Sequence, residues 1–400
     1  MECFGRAWGR SNTPQASAAG NNGEVLSLDA MLSDLEYLVT VESPSNDIEA
    51  IKRSAGAVRD VIKRRLGHSA DLIDSAAGPH VLARFGPSSR VLLVGHHDTV
   101  FPIGALAARP FGVDAGRATG PGVFDMKAGI VQAIHALTLL DDLDGVELLI
   151  TADEEVGSKS SRKLIEERAL ACGAVLVLEP SADGGALKTG RKGTGTFEVI
   201  VHGRAAHAGL EPEKGINSLV AAAQLITRIA TFGDPAKGTT VTPTVANAGT
   251  ADNVVPALTR LRVDARVMGA AEKERVEHLM STLSSDVPGA AVEVTGGLDR
   301  PPMPESASTS LFAVATSVAA EAGLALLTGV AVGGGSDGNF TAAIGVPTLD
   351  GLGAVGGGAH ADHEHVFVDT MIDRSRLVAA IVAELTRERD LIRSWGLPTR

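Results

Sequence analysis

The sequence predicts an α/β protein with a mostly parallel sheet, interrupted by a smaller inserted α+β domain. In the first half of the chain, short continuous apolar runs alternate with segments of helical spacing, which is typical of a parallel sheet covered on both faces. In the middle of the chain, apolar and polar residues alternate, which is typical of a sheet with one solvated face. A length of 400 residues also favours two domains over a single core.

Residues 26–186 are predicted to form the first part of the larger domain. They follow a segment at 1–25 that lacks the apolar core of a signal peptide and is expected to be a flexible tail. Continuous apolar runs predict buried strands at 91–94, 146–151 and 174–178. Helical spacing of apolar residues predicts helices at 28–41, 48–66, 127–140 and 159–170.

The predicted insertion covers residues 187–298. Alternating patterns near 197–201 and 261–267 indicate strands, and helical spacing indicates helices at 216–229 and 271–283. Residues 299–400 return to the α/β pattern and complete the larger domain, with helices expected at 308–322 and 370–393.

Composition argues against several classes of partner. The 36 basic and 48 acidic residues give a formal net charge of −12, whereas nucleic acids and anionic membranes are bound by basic surfaces. No run approaches the roughly 18 apolar residues of a membrane-spanning helix. The two cysteines, Cys3 and Cys172, do not form the cluster that a disulfide framework or a thiolate metal site needs. A cytoplasmic protein is therefore expected.

Candidate metal ligands are concentrated where the predicted strands end. Because the carboxyl ends of parallel strands converge at one edge of a sheet, side chains in the following loops can face a common point. In chain order these side chains are His96, His97 and Asp98; Asp125 in the loop GPGVFDMKAG; Glu154 and Glu155; Glu179; and, in GGGAHADHEHVFV, His360, His363, Glu364 and His365.

Imidazole and carboxylate without thiolate suit zinc, and also manganese or cobalt. A pair of such ions needs a bridging carboxylate, further ligands for each ion and a base for the water between them. Each residue alone has an ordinary interpretation, such as a helix cap or a histidine bonded to a carbonyl. Their coincidence at successive strand ends indicates a metal centre.

These motifs resemble, in the same order and over about residues 28–395, those of the dinuclear zinc aminoacylase and carboxypeptidase family. Its members include glutamate carboxypeptidase, succinyl-diaminopimelate desuccinylase, acetylornithine deacetylase and tripeptide aminopeptidase. GHHDTV is similar to the motif His-x-Asp-Thr-Val, GPGVFDMKAG to Gly-x-x-Asp-Met-Lys-x-Gly, and ADEEVGS to Asp-Glu-Glu-x-Gly-Ser. The resemblance implies a zinc-peptidase-like fold, a homodimer with the inserted domain at 187–298 as its dimerisation domain, and two zinc ions per subunit with cobalt or manganese as substitutes.

The resemblance also implies a role for each residue of these motifs. Asp98 is expected to orient the ligand His96, and Glu154 to act as general base. Glutamate at position 179 favours the glutamate carboxypeptidase side of the family. The expected metal ligands are His96, Asp125 as the bridge, Glu155, Glu179 and His360.

The roles of four basic residues near the motifs remain open. The spacing His-x-x-x-Glu-x-Val selects His360, so His363 and His365 are either neighbours of the site or polar surface residues. His97 occupies the variable position of its motif. Lys188 opens KTGRKG, which is a candidate source of cationic contacts at the domain junction.

Further motifs of the same family imply substrate contacts. VHGRAAHAG resembles a motif whose second histidine, here His207, reaches across a dimer interface to polarise the scissile carbonyl. NVVPALTRLRVDAR resembles another and implies Asn253 and Arg266 as substrate-binding residues, although Arg266 is alternatively an exposed strand arginine. The glycine-rich turn GGGSDGNF resembles a loop near the substrate carboxylate and adds Ser336 and Asp337.

The expected function is hydrolysis of an amide bond adjacent to a free carboxylate, as by a glutamate carboxypeptidase acting on N-acyl-glutamates or dipeptides. The alternatives are an N-acyl-amino-acid deacylase and, in another class, a non-catalytic metal-binding module. Nucleotide binding is not expected, because GLGAVG satisfies G-x-G-x-x-G without a helix pattern after it. The helix-borne zinc proteases are excluded, because the sequence contains no H-E-x-x-H.

Overall fold

The computed structural model describes residues 26–388 and 391–395. The predicted tail at 1–25 lies outside the described residues, as do residues 389–390 of the predicted last helix. The first elements in chain order are α1 (Leu28–Thr40), α2 (Ile48–Leu66), β1 (Asp71–Ile73), β2 (His80–Phe85), β3 (Ser89–His96), α3 (Ala105–Ala108), β4 (Gly112–Asp114), β5 (Arg117–Thr119), α4 (Ala128–Leu137), β6 (Gly145–Thr151), α5 (Arg162–Cys172), β7 (Ala174–Val177) and β8 (Leu187–Arg191).

An antiparallel unit and a return to the first unit follow. The antiparallel unit contains β9 (Gly193–His202), α6 (Ser218–Ile229), β10 (Thr240–Ala248), β11 (Leu258–Val267), α7 (Ala270–Ser281) and β12 (Ala291–Arg300). The remaining elements are α8 (Thr309–Glu321), β13 (Gly329–Val332), α9 (Gly338–Ala343), β14 (Thr348–Leu349), β15 (Gly356–Gly357), β16 (His365–Phe367), α10 (Met371–Arg387) and α11 (Leu391–Ser394).

The central sheet has six strands in the order β1-β2-β6-β3-β7-β14. Strands β6, β3, β7 and β14 are mutually parallel, which confirms the predicted fold class. Strands β1 and β2 add an antiparallel edge that the sequence analysis did not predict. Strand β1 has three residues, none of them buried, and exposed Arg84 interrupts the apolar run of β2.

Both faces of the central sheet are buried, which explains the continuous apolar runs of its strands. Along β3, Val91 and Leu93 pack with the core that includes α1, α2, α4 and α10. The alternate residues, Leu92 and Val94, pack with a second cluster that includes Ile165 of α5. A strand covered on both faces has no solvated side on which polar residues are tolerated.

Side-chain caps fix the residues at which the first two helices begin. Ser27 Oγ accepts a hydrogen bond from the Ala30 amide (3.2 Å), and Asp47 Oδ1 accepts one from the Ala50 amide (3.0 Å). Such side chains satisfy N–H groups that the first turn of a helix leaves free. Helix α2 ends at Gly67, which adopts the left-handed conformation (φ 65°) that favours glycine.

The antiparallel unit is a four-stranded sheet in the order β10-β11-β9-β12 with its own hydrophobic core. Phe197, Val199 and Val263 are buried against α6 and α7, while Arg262 on the alternate face is exposed. The predicted boundaries at 187 and 298 remain a proposal. Strand pairing places the antiparallel sheet between Gly193 and Arg300, whereas β8 pairs with β13 of the returning chain.

A small antiparallel sheet, in the order β15-β16-β5-β4, connects residues 356–367 to the segment that precedes α4. Residues 351–364 contain no helix, so the G-x-G-x-x-G match at 351–356 lacks the structure that a dinucleotide site requires. Among the helices of residues 26–388 and 391–395, none combines the length and apolarity needed to span a membrane.

Candidate metal centre and active site

The carboxyl ends of the parallel strands bring the predicted ligands together. His96 is the last residue of β3, Glu155 lies four residues beyond the end of β6, and Glu179 lies two residues beyond β7. His96 Nε2 is 3.5 Å from Glu179 Oε1 and 3.2 Å from Asp125 Oδ1. The convergence that parallel strand order predicts is therefore present.

Asp125 lies at the centre of the cluster and faces two histidines with its two oxygens. Its Oδ1 is 3.2 Å from His96 Nε2, and its Oδ2 is 3.3 Å from His360 Nε2. The side chain comes from the turn just before α4, where the peptide bond between Asp125 and Met126 is cis. One carboxylate between two imidazoles is the arrangement expected of a bridging ligand.

The second histidine is paired with its own glutamate. His360 Nε2 is 3.1 Å from Glu155 Oε2, and His360 holds this position with a left-handed backbone (φ 62°). A non-glycine residue in this region is uncommon, and such residues concentrate at functional sites. The cluster thus has two halves, one with His96 and Glu179 and the other with Glu155 and His360.

The donor atoms fit divalent cations. In two sets of three side chains, every member offers a ligand atom within 4.8 Å of the others: His96, Asp125 and Glu155, and His96, Glu154 and Glu179. Glu155 Oε1 is buried and has no hydrogen-bond partner. A buried carboxylate oxygen without a partner is costly unless a cation compensates it, and nitrogen and oxygen donors suit zinc.

The electrostatics of the cluster also indicate a place for positive charge. Hydrogen bonds to Asp125 and Glu155 raise the pKa of His360 to about 10. Burial lowers the pKa of His96, but hydrogen bonds to Asp125, Asp98 and Glu179 hold it well above its usual range. The carboxylates therefore stabilise a cation at each histidine, and a metal ion can take the place of these protons.

Asp98 contacts both His96 and the turn that carries Glu154 and Glu155. His96 Nδ1 is 3.0 Å from the Asp98 carbonyl oxygen and 3.4 Å from Asp98 Oδ1. The Asp98 carboxylate also accepts hydrogen bonds from Ser45 Oγ (2.7 Å) and from the amides of Glu154 and Glu155 (3.2 Å each). Asp98 therefore holds the turn that carries both glutamates, and its expected role in orienting the ring of His96 stays a prediction. Carboxylates in this position fix the tautomer of a ligating histidine.

Glu154 is held by an arginine that the sequence analysis missed. Arg300, the last residue of β12, donates from Nη1 to Glu154 Oε1 (2.7 Å) and from Nη2 to the Glu154 carbonyl oxygen (3.3 Å). Burial raises the pKa of Glu154 to about 8, although Arg300 acts in the opposite direction. A raised pKa in a cleft is characteristic of a group that transfers protons.

Arg191 holds the side chain of Glu179, as Arg300 holds that of Glu154. It donates from Nη2 to Glu179 Oε2 (3.1 Å) and from Nε to Asp350 Oδ2 (2.6 Å), and its Nη1 donates to the carbonyls of Gly334 and Gly335. Arg191 lies in the motif KTGRKG, whose cationic contacts at the junction were expected. Lys188, another cation of that motif, is partly buried, and burial lowers its pKa.

Ser336 and Asp337 are engaged inside the fold. Ser336 Oγ donates to Asp350 Oδ2 (2.5 Å). Asp337 accepts hydrogen bonds from Thr151 Oγ1 (3.1 Å) and from Ser158 Oγ. Both residues are buried, and these bonds support the turn and the end of β6. Their expected contact with substrate stays a prediction.

The three candidates of the antiparallel unit lie away from the cluster. His207 and Asn253 are exposed neighbours, since the Ala208 amide donates to the Asn253 carbonyl oxygen (2.8 Å) and His207 forms a bridge with Val254. Within the described residues, neither side chain bonds to the converging carboxylates. Arg266 bonds to Asp264 (3.1 Å) and to the Gly333 carbonyl oxygen (3.1 Å).

A cleft of about 700 Å³ lies between the antiparallel unit and the turn after Glu154. Two acidic residues, Asp264 and Asp299, line it beside a larger group of basic side chains, namely Lys159, Arg162, Arg262, Arg266 and Arg300. Arg300 lines this cationic cleft and also donates to Glu154, so it connects the cleft to the cluster.

The remaining polar residues of the quoted motifs contact neighbouring groups of the protein. His97 is buried with Nε2 3.2 Å from the Pro79 carbonyl oxygen, and burial lowers its pKa to about 4. His363 is exposed, and its carbonyl oxygen lies 3.0 Å from His365 Nδ1. Asp153, the first of the three consecutive acids, is buried and accepts hydrogen bonds from the Ser160 amide (2.7 Å) and Oγ (2.8 Å).

A histidine and carboxylate cluster at the carboxyl ends of parallel strands, with a buried glutamate beside it, defines a metallohydrolase. The chain belongs to the peptidase family M20/M25/M40, whose model matches residues 92–384. The predicted family, fold class and enzyme class are thereby confirmed, and the alternative of a non-catalytic module is not supported.

Two curated relatives and one solved structure illustrate the relationship. The chain is 33% identical over 374 residues to carboxypeptidase G2 of Pseudomonas sp. (strain RS-16), with 89% of each chain covered. It is 28% identical over 302 residues to succinyl-diaminopimelate desuccinylase of Wolinella succinogenes, which covers 70% of this chain and 80% of the relative. Aminopeptidase PepT of Bacillus cereus shares the fold, with a TM-score of 0.73, 21% identity, and coverage of 90% and 99%.

Proposed function

We propose that this metallopeptidase holds two zinc ions and cleaves an amide bond adjacent to a free carboxylate, as a carboxypeptidase acting on N-acyl-glutamates or dipeptides. The observation that carries the proposal is the position of Asp125, whose two oxygens face His96 (3.2 Å) and His360 (3.3 Å). Similarity to carboxypeptidase G2 over 89% of both chains supports the carboxypeptidase assignment.

The proposed ligands follow from the two halves of the cluster. One ion would be held by His96 and Glu179 and the other by Glu155 and His360, with Asp125 as the ligand that both would share. Cobalt and manganese are accepted as substitutes, because the donors are nitrogen and oxygen. A zinc pair supplies an acidified water and an electrophile for the substrate carbonyl when it is bound.

Glu154 is the proposed general base. Its Oε1 is held by Arg300, which fixes the direction of the carboxylate beside the cluster (2.7 Å). In this role Glu154 accepts the proton of the attacking water and delivers it to the leaving amine nitrogen, so the same group serves both halves of the reaction. Asp98 keeps the glutamate turn in place through the amides of Glu154 and Glu155.

The cationic cleft is the proposed site for the substrate carboxylate. Arg266 lines it, and a guanidinium can bind a carboxylate through two parallel hydrogen bonds. Asn253 and His207 are exposed together on the antiparallel unit, far enough from the cluster to make no bond with it among the described residues. We therefore propose that both act on the site of a second subunit in a homodimer, where His207 stabilises the oxyanion.

A second candidate function is deacylation of an N-acyl amino acid. Similarity to succinyl-diaminopimelate desuccinylase favours it. The chemistry at the cluster is the same in both cases, and in both the amine side of the bond carries a free carboxylate. The two functions therefore differ in which acyl groups and amino acids the site accepts. The expected place of action is the cytoplasm, with no nucleic acid or membrane partner.

The experiment is a substrate panel with the purified chain. It compares peptides and acylated amino acids with a C-terminal glutamate, N-succinyl and N-acetyl amino acids, and the same compounds as carboxamides. Each is assayed after chelation and after addition of zinc, cobalt or manganese. Turnover of the glutamate compounds, restored by metal and lost in the carboxamides, is expected. Preference for the N-succinyl or N-acetyl compounds would favour the second candidate, and metal-independent turnover would contradict the proposal.

A further inference from the structure

Glu364 joins two loops that are far apart in the sequence. Its side chain is buried, with Oε2 accepting a hydrogen bond from the Gly122 amide (2.8 Å). Its Oε1 accepts two more, from the amides of Phe124 and Asp125 (2.9 Å each). A residue of the loop that carries His360 thus binds the backbone of the loop that carries Asp125.

The turn at 122–125 is shaped to hold an anion. Three of its amides point toward one place, and Gly122 adopts the left-handed conformation (φ 73°) that lets successive N–H groups converge. The Glu364 carboxylate satisfies all three donors within the chain. Without it, three buried N–H groups would lack partners, each at a cost that favours rearrangement of the turn.

The other end of this connection is also anchored. Strand β16 begins directly after Glu364 and pairs His365 with Thr119 of β5. On the other side, Arg109 Nη1 donates to the Ala361 carbonyl oxygen (3.1 Å), so the segment from His360 to Glu364 is fixed at both ends. The four-residue spacing then sets the distance between His360 and the carboxylate that holds the Asp125 turn.

From this geometry we infer that Glu364 is a positioning residue for the metal pair. It places the Asp125 carboxylate between the two histidines by holding the Asp125 amide, and it transmits the position of the His360 loop to the Asp125 loop. This inference rests on the proposed function, since it assigns Glu364 to the metal centre proposed there. Glu364 itself is not proposed to contact metal or substrate.

If the role of Glu364 were purely structural, Glu364 would stabilise the fold without affecting the metal centre. Glu147 offers a matched comparison, because it is equally buried and binds Ser89 Oγ (2.6 Å) and Arg168 Nε (2.7 Å). It lies near the start of β6, whereas the cluster lies beyond the end of that strand at Thr151. Loss of Glu147 therefore disturbs buried polar contacts on the same strand, away from the centre.

The test is a zinc titration of the metal-free full-length chain in competition with a chromophoric chelator. Wild type, Glu364→Gln and Glu147→Gln are compared, with urea unfolding of each metal-free protein in parallel. Glutamine keeps the shape but presents an NH₂ group to at least one amide donor. We expect zinc affinity to fall about 10- to 100-fold in Glu364→Gln and to stay within about twofold of wild type in Glu147→Gln, even where both unfold more easily.

Each result has one meaning. Zinc affinity of Glu364→Gln within twofold of wild type would overturn the positioning role, as would an equal loss in Glu147→Gln. If Glu364→Gln does not fold, Glu364→Asp, which keeps the charge but is one methylene shorter, is expected to lose zinc affinity, and unchanged affinity would overturn the inference. A wild-type chain that binds no zinc would refute the metal centre itself, and the role of Glu364 with it.

Discussion

Replacing Arg300 with methionine is expected to move the acidic limb of the pH–activity profile to higher pH. Arg300 donates to Glu154 Oε1 at 2.7 Å, and it opposes the burial that raises the pKa of Glu154. A base acts only in its ionised form. Loss of the neighbouring cation disfavours the carboxylate, so Glu154 stays protonated to a higher pH and activity at low pH falls.

The size of the shift follows from the bond that is lost. A hydrogen bond to a charged group contributes about 1.5–3 kcal/mol, and one pKa unit corresponds to about 1.36 kcal/mol. Because Arg300 and Glu154 are both largely buried, with side chains 10% and 11% exposed, solvent screening reduces this little. The acidic limb is therefore expected to move by about 1 to 2 pH units.

The assay is the pH dependence of kcat for wild type and Arg300→Met, each saturated with zinc and substrate. Arg162→Met is the matched control, because Arg162 lines the same cleft and covers the same Phe340 ring (4.8 Å, against 5.0 Å for Arg300) but bonds to Glu166 instead of Glu154. It is expected to leave the acidic limb in place, whatever its effect on KM. An unmoved limb in Arg300→Met would refute the role of Arg300 at Glu154.

Three further predictions follow from other contacts. Glu154→Gln is expected to keep its zinc while kcat falls by about 10²- to 10⁴-fold; substantial remaining turnover would contradict its role as base. A mixture of Glu154→Gln and His207→Ala chains, each inactive alone, is expected to recover about a quarter of wild-type activity once subunits exchange. Half of the random dimers then contain one chain of each kind, and each such dimer has one complete site of its two. No recovery despite exchange would contradict action across subunits. Asp34→Asn is expected to lose about 3 kcal/mol or more in urea unfolding at pH 7, because Asp34 is buried and bonds to Arg64 (2.6 Å), Arg65 (2.6 Å) and His135 (2.8 Å). Burial raises the pKa of Asp34, but these partners hold it well below its usual range, so their stabilisation is present above about pH 4 and declines as the pH falls further. The difference between wild type and Asp34→Asn should therefore shrink toward pH 3, and a difference that is independent of pH would contradict this reasoning.

The ligand candidates were predictable because local sequence places them. His96, Glu155 and Glu179 each follow an apolar strand, and parallel strand order brings such positions together without any knowledge of side-chain packing. The central parallel strands were predictable for the same reason, since burial on both faces leaves a continuous apolar run. The antiparallel edge of β1 and β2 was missed, because β1 has only three residues and exposed Arg84 interrupts the apolar run of β2.

The supporting residues were not predictable from local patterns. Glu364 binds amides 239 to 242 positions earlier in the chain, and Arg300 binds Glu154 across 146 positions. Such contacts depend on how the antiparallel unit and the last loops pack against the sheet, which no short motif encodes. The internal bonds of Ser336 to Asp350 and of Asp337 to Thr151 were likewise absent from any local pattern, because the partners lie 14 and 186 positions away in the chain.

The most direct test of the central claim is anomalous X-ray scattering at the zinc absorption edge from crystals of the zinc-loaded chain. Two peaks about 3.5–4 Å apart are predicted on either side of the Asp125 carboxylate. One should lie beside His96 and Glu179 and the other beside Glu155 and His360. A single peak, or none at Asp125, would contradict a bridged pair of ions and the reaction proposed for it.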